Sequence, residues 1–157
     1  MGAEALAMVR ERLASAATDI GLDHGMLVVS LPREALLPAV TMLKDELAFD
    51  LFLDVTAVDW PERDYRFEVV YHFYSTRHFV RVRVKTHVLE QDASVDSLVG
   101  LYGAAGYMER ECHEMYGIDF RGNPDLRHIL LYEGFVGHPL RKDYDKEHEQ
   151  PLVPYRQ

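Results

Sequence analysis

The chain has 157 residues, 48% apolar and 27% charged. That is enough for one domain with its own core, and it excludes collagen-like, coiled-coil and wholly disordered classes. Seventeen Lys and Arg against 26 Asp and Glu leave a net charge of -9, a field that repels phosphate backbones and disfavours general nucleic-acid binding. Cys112 is the one cysteine, which rules out an intrachain disulfide, a Cys-rich zinc site or a thiolate-held iron–sulfur cluster in this chain alone.

Leu6, Val9, Leu13, Ala16 and Ile20 recur at helical spacing before Gly21, which predicts a first amphipathic helix with a glycine stop. Met26 to Leu31 reads as a short strand. Pro32 then opens a second helix with Leu36, Val40, Leu43 and Leu47 on one face. Three strands in a row follow: Leu51–Val58, Tyr65–Tyr74 and Phe79–Thr86. The third alternates Val80, Val82 and Val84 with Arg81, Arg83 and Lys85, the pattern of a strand with one face on the core. The basic stripe is expected to be an exposed sheet face. Ser94 is read as the cap of a short helix carrying Val95, Leu98 and Leu101. A further helix spans about Tyr107–Tyr116 and stops at Gly117.

From Gly117 onward the chain is rich in Gly, Pro and charge, with only a short apolar run, Ile129–Tyr132. The expected fold is α+β: two layers, a mostly antiparallel sheet with helices on one face, and then an extended C-terminal tail. Residues 1–133 form the domain and 134–157 the tail. Such a tail buries little on its own body, so mobility in the free chain and order on a partner are expected. No run approaches the ~20 apolar residues that span a bilayer. The N-terminus, broken by Glu4, Arg10, Glu11 and Arg12, lacks the pattern of a signal peptide. A soluble, cytoplasmic chain is expected.

The densest chemistry is Glu109 to Gly117, ERECHEMYG. On a helix, Arg110 and Glu114 are i, i+4 neighbours able to pair. Glu111 and Glu114 lie near the C-terminal end, where the helix dipole disfavours carboxylates by roughly 0.3–1 kcal/mol each. Basic groups are expected to answer them, with Arg110, Arg127 and Arg141 the nearest candidates in the chain and others on a partner; a solvated acidic face is the alternative. The His113-Glu114 pair lacks the second His of a zinc motif, because position 117 is Gly. A metal held by Glu109, His113 and Glu114 is the weaker alternative. The second unusual stretch is Gly137 to Asp145, GHPLRKDYD. Pro139 stiffens it and Arg141, Lys142 and Asp143 alternate sides, a build suited to a groove on a partner.

Together these stretches resemble a known family. Glu109-Arg110-Glu111, Met115-Tyr116-Gly117-Ile118, Gly122-Asn123-Pro124-Asp125-Leu126-Arg127 and Gly137-His138-Pro139-Leu140-Arg141-Lys142-Asp143-Tyr144 are similar to the C-type subunit of NADH–quinone oxidoreductase, respiratory complex I. LDVTAVDW (53–60), RFEVVYHFYS (66–75) and VRVRVK (80–85) are similar too. The chain departs from the family's usual residues at Tyr107, Cys112, His113, Asn123 and His128, and has Glu114 where Asp is common.

The resemblance implies a non-catalytic, cofactor-free subunit of the peripheral arm, needed for assembly and for NADH-to-quinone electron transfer by the whole enzyme. Iron–sulfur clusters, FMN and quinone are then expected in partner subunits. The main partner would be the homologue of the D-type subunit, with the B-type and I-type subunits nearby. Membrane contact would be indirect, on the cytoplasmic side, and no nucleic acid is involved. Interface or motif residues by the same resemblance are Glu109, Arg110, Glu111, Glu114, Gly117, Arg127, Pro139, Arg141, Lys142, Asp143 and Tyr144. Equivalent subunits of membrane-bound hydrogenases or ferredoxin-linked relatives are the alternative reading.

Overall fold

The structure is a computed structural model that describes residues 2–150. The first helix, α1, spans Gly2–Leu13 and buries Ala5, Val9 and Leu13. It stops before the predicted Ile20. Ile20 instead pairs with Val29, in a hairpin of β1 (Asp19–Asp23) and β2 (Met26–Leu31). The two-residue turn, His24-Gly25, has φ of 48° and 79°. Positive φ at both central positions matches the right-handed twist of the flanking strands, which explains the tight reversal. The apolar spacing carries Ile20 into the helix, while the turn that claims it lies outside the periodic run.

Helix α2 spans Arg33–Asp45 after Pro32 and buries Leu36, Ala39, Val40 and Leu43. Strands β3 (Leu51–Asp59), β4 (Phe67–Ser75) and β5 (Val80–Val88) form an antiparallel meander. β5 also pairs in parallel with β2, so the five-stranded sheet has the order β1-β2-β5-β4-β3. The sheet is therefore mixed, with one parallel seam among antiparallel pairs. One core joins Val9 and Leu13 of α1, Leu36, Val40 and Leu43 of α2, Tyr71 and Phe73 of β4, Val82 and Val84 of β5, and Cys112 of the third helix. Each fully buried Leu, Val or Phe there contributes about 1.5–3 kcal/mol by leaving water.

The predicted helix at 94–101 is absent. Ser94–Asp96 forms β6, which pairs in parallel with β7 (Asp119–Arg121), placing Val95 opposite Phe120. Val95 and Leu98 are buried as expected, but a three-residue strand followed by a turn buries the same positions that one helical face would. Helix α3 spans Ala105–Tyr116 and ends at Gly117, whose φ of 74° places it in the left-handed region. Its amide reaches the carbonyl of His113 at 2.7 Å, a glycine stop of the expected kind.

Candidate interaction site at the end of the third helix

Helix α3 works as a two-pronged clamp on the irregular chain that follows it. Arg110 donates from Nε to the carbonyl of Arg127 at 2.9 Å and from Nη2 to that of His128 at 2.8 Å. Glu114, one turn on and buried, accepts the amides of Ile129, Leu130 and Leu131 at 3.1, 2.8 and 3.2 Å. The predicted Arg110–Glu114 pair is therefore not made. Each side chain holds backbone instead, because residues 127–131 have no strand or helix to satisfy their peptide groups.

Neither Glu111 nor Glu114 meets Arg110, Arg127 or Arg141 in an ion pair among the described residues. Glu114 is answered by three amides. Glu111 is exposed, with no ion pair among the described residues. Arg127 chelates Asp125 at 2.9 and 2.8 Å and so holds that carboxyl below the usual carboxylate range. Arg141 turns to the helix end itself.

Three consecutive carbonyls at the C-terminus of α3 are covered by the segment 138–141. His138 Nδ1 lies 2.9 Å from the oxygen of Glu114, the amide of Leu140 donates to Met115 at 3.1 Å, and Arg141 Nε donates to Tyr116 at 2.6 Å. A helix leaves its last carbonyls without partners, and a cation there suits the negative end of the dipole. Gly117 makes the fit possible. A Cβ at that position would stand 2.5 Å from both Arg141 Nη2 and His138 Nε2, on a backbone where φ already disfavours any side chain.

Beyond Arg141 the chain crosses the loop end of the β3–β4 hairpin. Arg66 is nearly buried and forms a bidentate pair with Asp59, at 2.7 and 2.9 Å. It also meets Glu90 at 2.7 Å and Asp143 at 2.8 Å. The amide of Lys142 donates to Asp59 Oδ2 at 2.7 Å. The Arg66 guanidinium holds the carboxyls of Asp59 and Asp143 below the usual range. Residues 138–143 thus lie against the body.

The Lys142 side chain points to solvent, and Pro139 is half-buried. Tyr144 stacks on Phe135 with centroids 6.1 Å apart and accepts a hydrogen bond from Gln150 at 2.9 Å. Of the predicted tail, residues 151–157 lie outside the described residues.

Asp59, Arg66 and Glu90 are site residues that sequence reasoning misses. A signal exists for two of them. Asp59 closes β3, Arg66 precedes β4, and Asp59 stands opposite Phe67 in the hairpin register, so a short hairpin brings an acid and a base together. Glu109 belongs elsewhere. Buried, it accepts Ser97 Oγ, the Leu98 amide and Asn123 Nδ2 at 2.6, 2.7 and 2.8 Å, and burial pushes its carboxyl up. His113 Nδ1 sits 2.8 Å from the Ile118 carbonyl. Glu109, His113 and Glu114 thus face three different partners, and among the described residues no His, Cys, Asp and Glu group is placed to hold a metal.

On the far side of the sheet, Glu68 bonds Lys85 at 2.9 Å and His87 at 3.0 Å, and Arg83 meets Asp23 at 3.1 Å. Two of the three basic side chains in the stripe are therefore paired.

The family model described as the 30 kDa subunit of respiratory-chain NADH dehydrogenase matches residues 29–150. The chain belongs to that family. Among curated members, the C-type subunit of NADH-quinone oxidoreductase from Citrifermentans bemidjiense is 42% identical over 140 residues, 89% of this chain and 87% of that one. The corresponding subunit of Methylorubrum populi is 44% identical over 151 residues, covering 91% and 68%.

Two solved structures bear the same likeness. A trypsin-resistant fragment (1-134) of Nqo5 superposes with a TM-score of 0.71 at 30% identity, covering 78% of this chain and 99% of the fragment. A chain of the membrane-bound sulfane sulfur reductase, an archaeal respiratory membrane complex, gives 0.80 at 26% identity, covering 93% and 86%. The 30 kDa subunit family thus belongs to membrane-associated enzyme complexes. In this member no described helix is long and apolar enough to cross a membrane.

Proposed function

We propose that the chain is a non-catalytic, cofactor-free subunit of the peripheral arm of a proton-translocating NADH–quinone oxidoreductase. It serves assembly of the arm and electron transfer from NADH to quinone by the whole complex. The clusters, FMN and quinone belong to its partners. The main partner is the homologue of the D-type subunit, with the B-type and I-type subunits adjacent, on the cytoplasmic face of the membrane. The observation that carries this reading is the family match across residues 29–150.

The segment from residue 134 onward is read as the docking surface. Val136 and Leu140 are 73% and 49% exposed there, and apolar side chains left in water gain by being covered. Glu114 and Gly117 act inside the chain, the first holding residues 129–131 and the second giving room for His138 and Arg141. Glu109 anchors Ser97, Leu98 and Asn123, while Glu111, Lys142 and the exposed Arg127–Asp125 pair face a partner.

The test is deletion of the chain from its host and return of the gene. Membranes without it should lose NADH–quinone activity and the full-size complex, and both should come back on complementation. Intact activity and size without the chain would overturn the reading. The purified chain should be colourless and should not oxidise NADH.

A like chain in a respiratory membrane complex named for sulfane sulfur reduction rather than for NADH and quinone supports one second reading, an equivalent subunit in a related complex with another electron donor, such as a hydrogenase or ferredoxin-linked relative. Membranes that reduce quinone with ferredoxin but not with NADH would select it.

A further inference from the structure

The Arg66 cluster has an asymmetry. Among the described residues its guanidinium meets three carboxylates, and they come from different parts of the chain. Asp59 belongs to the same hairpin and is fully enclosed, Glu90 lies in the short turn after β5, and only Asp143 comes from the C-terminal segment. If the segment lifted away, Arg66 would keep Asp59 and Glu90. Asp59 would lose the amide of Lys142 but keep both bonds to Arg66. Asp143 would go to water, where its side chain already stands half-exposed. No buried charge would be stranded, which is the usual barrier to opening an ion pair of this kind.

The rest of the seat behaves alike. The α3 carbonyls of Glu114, Met115 and Tyr116 would exchange His138, Leu140 and Arg141 for water, which the last turn of a helix tolerates. The segment brings no apolar side chain to the main core. Its one contact there is Arg141, whose guanidinium lies 5.0 Å from the Phe67 ring and 4.0 Å from Glu90. If the segment lifted away, Arg66 would stay on both, at 5.2 and 2.7 Å. Its own aromatic contacts, Tyr132 on Phe135 and Phe135 on Tyr144, lie within the C-terminal stretch and can travel with it.

We propose that residues 138–143 form a strap held shut in the free chain by the Arg66–Asp143 ion pair, able to swing off its seat while sheet and helix stay intact. This goes beyond the functional reading above and does not depend on which complex the chain joins.

The test uses the full-length free chain, with hydrogen exchange and trypsin cleavage after Arg141 as readouts. In the wild type the amides of Leu140 and Lys142 should exchange more slowly than that of the exposed Lys146. Asp143→Asn removes the strap's one carboxylate at an exposed position and leaves Asp59, Arg66 and Glu90 untouched. It should speed exchange at Leu140 and Lys142, and cleavage after Arg141, about three- to tenfold, the range between an exposed pair and a charge-assisted bond. Amides of β4 and of α3 should not change.

Three results would overturn the proposal. One is a wild-type strap that exchanges as fast as Lys146, so that nothing is shut. Another is an Asp143→Asn rate equal to wild type, so that the pair is not the latch. The third is equal loosening of strap and sheet, so that the strap is part of the core.

Discussion

The sheet and the C-terminal stretch solve the same problem in opposite ways. In β1 to β5 the backbone bonds to backbone along ladders, which frees side chains such as Phe73, Val82 and Val84 to fill the core. From Arg127 to Asp143 there is no ladder; the side chains of Arg110, Glu114 and Asp59 take up peptide groups of the stretch, and its own His138 and Arg141 take up those at the end of α3. The first region rests on apolar area, which tolerates exchange of one hydrophobe for another. The second rests on charged groups of fixed geometry, where a change of one atom leaves a donor or a carboxylate without its partner. Charges in the second region therefore do the holding that oil does in the first.

The sharpest way to break this division is to cut the core. Phe73 is fully buried and packs on Phe52 and Tyr102 with centroids 5.5 and 5.7 Å away. Phe73→Ala should cost about 3–5 kcal/mol, and urea melts should show strap and sheet failing together.

Asp59→Asn comes next, at about 2–4 kcal/mol near neutral pH, because it half-empties a buried pair. Its sign with pH is fixed by the lowered folded pKa of Asp59. The stabilisation is complete above the unfolded value of ~3.9 and disappears as pH falls through the folded one. The gap in Tm between wild type and Asp59→Asn should thus be wide at pH 7 and narrow progressively once pH falls below ~3.9.

Glu114→Ala should cost about 2 kcal/mol, less than three lost bonds would suggest because water can reach the exposed Leu130. Exchange at residues 129–131 should rise while β4 stays protected. Glu111→Gln marks the lower end. It should change the stability of the free chain by less than ~0.5 kcal/mol, as calorimetry can check, and any effect on assembly would then belong to a partner contact.

The two regions also differ in how far they can be read from sequence. β3, β4, β5 and α2 are legible because core contact imposes a period on the residues, as in the Val80-Val82-Val84 alternation or the Leu36-Val40-Leu43 face. β1 is not, since Ile20 and Leu22 sit on an edge strand with only one neighbour, too short for alternation to outweigh the helical spacing upstream. β6 escapes for a related reason: three residues carry no period.

At the site, the residues are visible as unusual but their partners are not. Glu114 stands out because the helix dipole disfavours it. Its partners are the amides of Ile129, Leu130 and Leu131, and every residue but proline has an amide, so no residue type could announce them. Asp59 and Arg66 lie inside stretches that carry the family resemblance, yet composition does not tell a buried pair from two surface charges. Gly117 reads correctly as a helix stop. That Arg141 and His138 close over it is a matter of packing at long range.

The parallel seam between β2 and β5 has a consequence for how the molecule is made. The β1–β2 hairpin and the β3–β4–β5 meander are each built from neighbouring chain, whereas Leu27–Leu31 must wait for Val82–Thr86. On the ribosome the chain emerges from its N-terminus. For the time it takes to synthesise the whole meander, β2 presents Leu27, Val28 and Val29 along a bare edge, an invitation to pair with another nascent chain. Contacts so distant in sequence also form slowly once they become possible. The bare edge is covered only once β5 arrives, and slow translation ahead of Val80 lengthens the exposure.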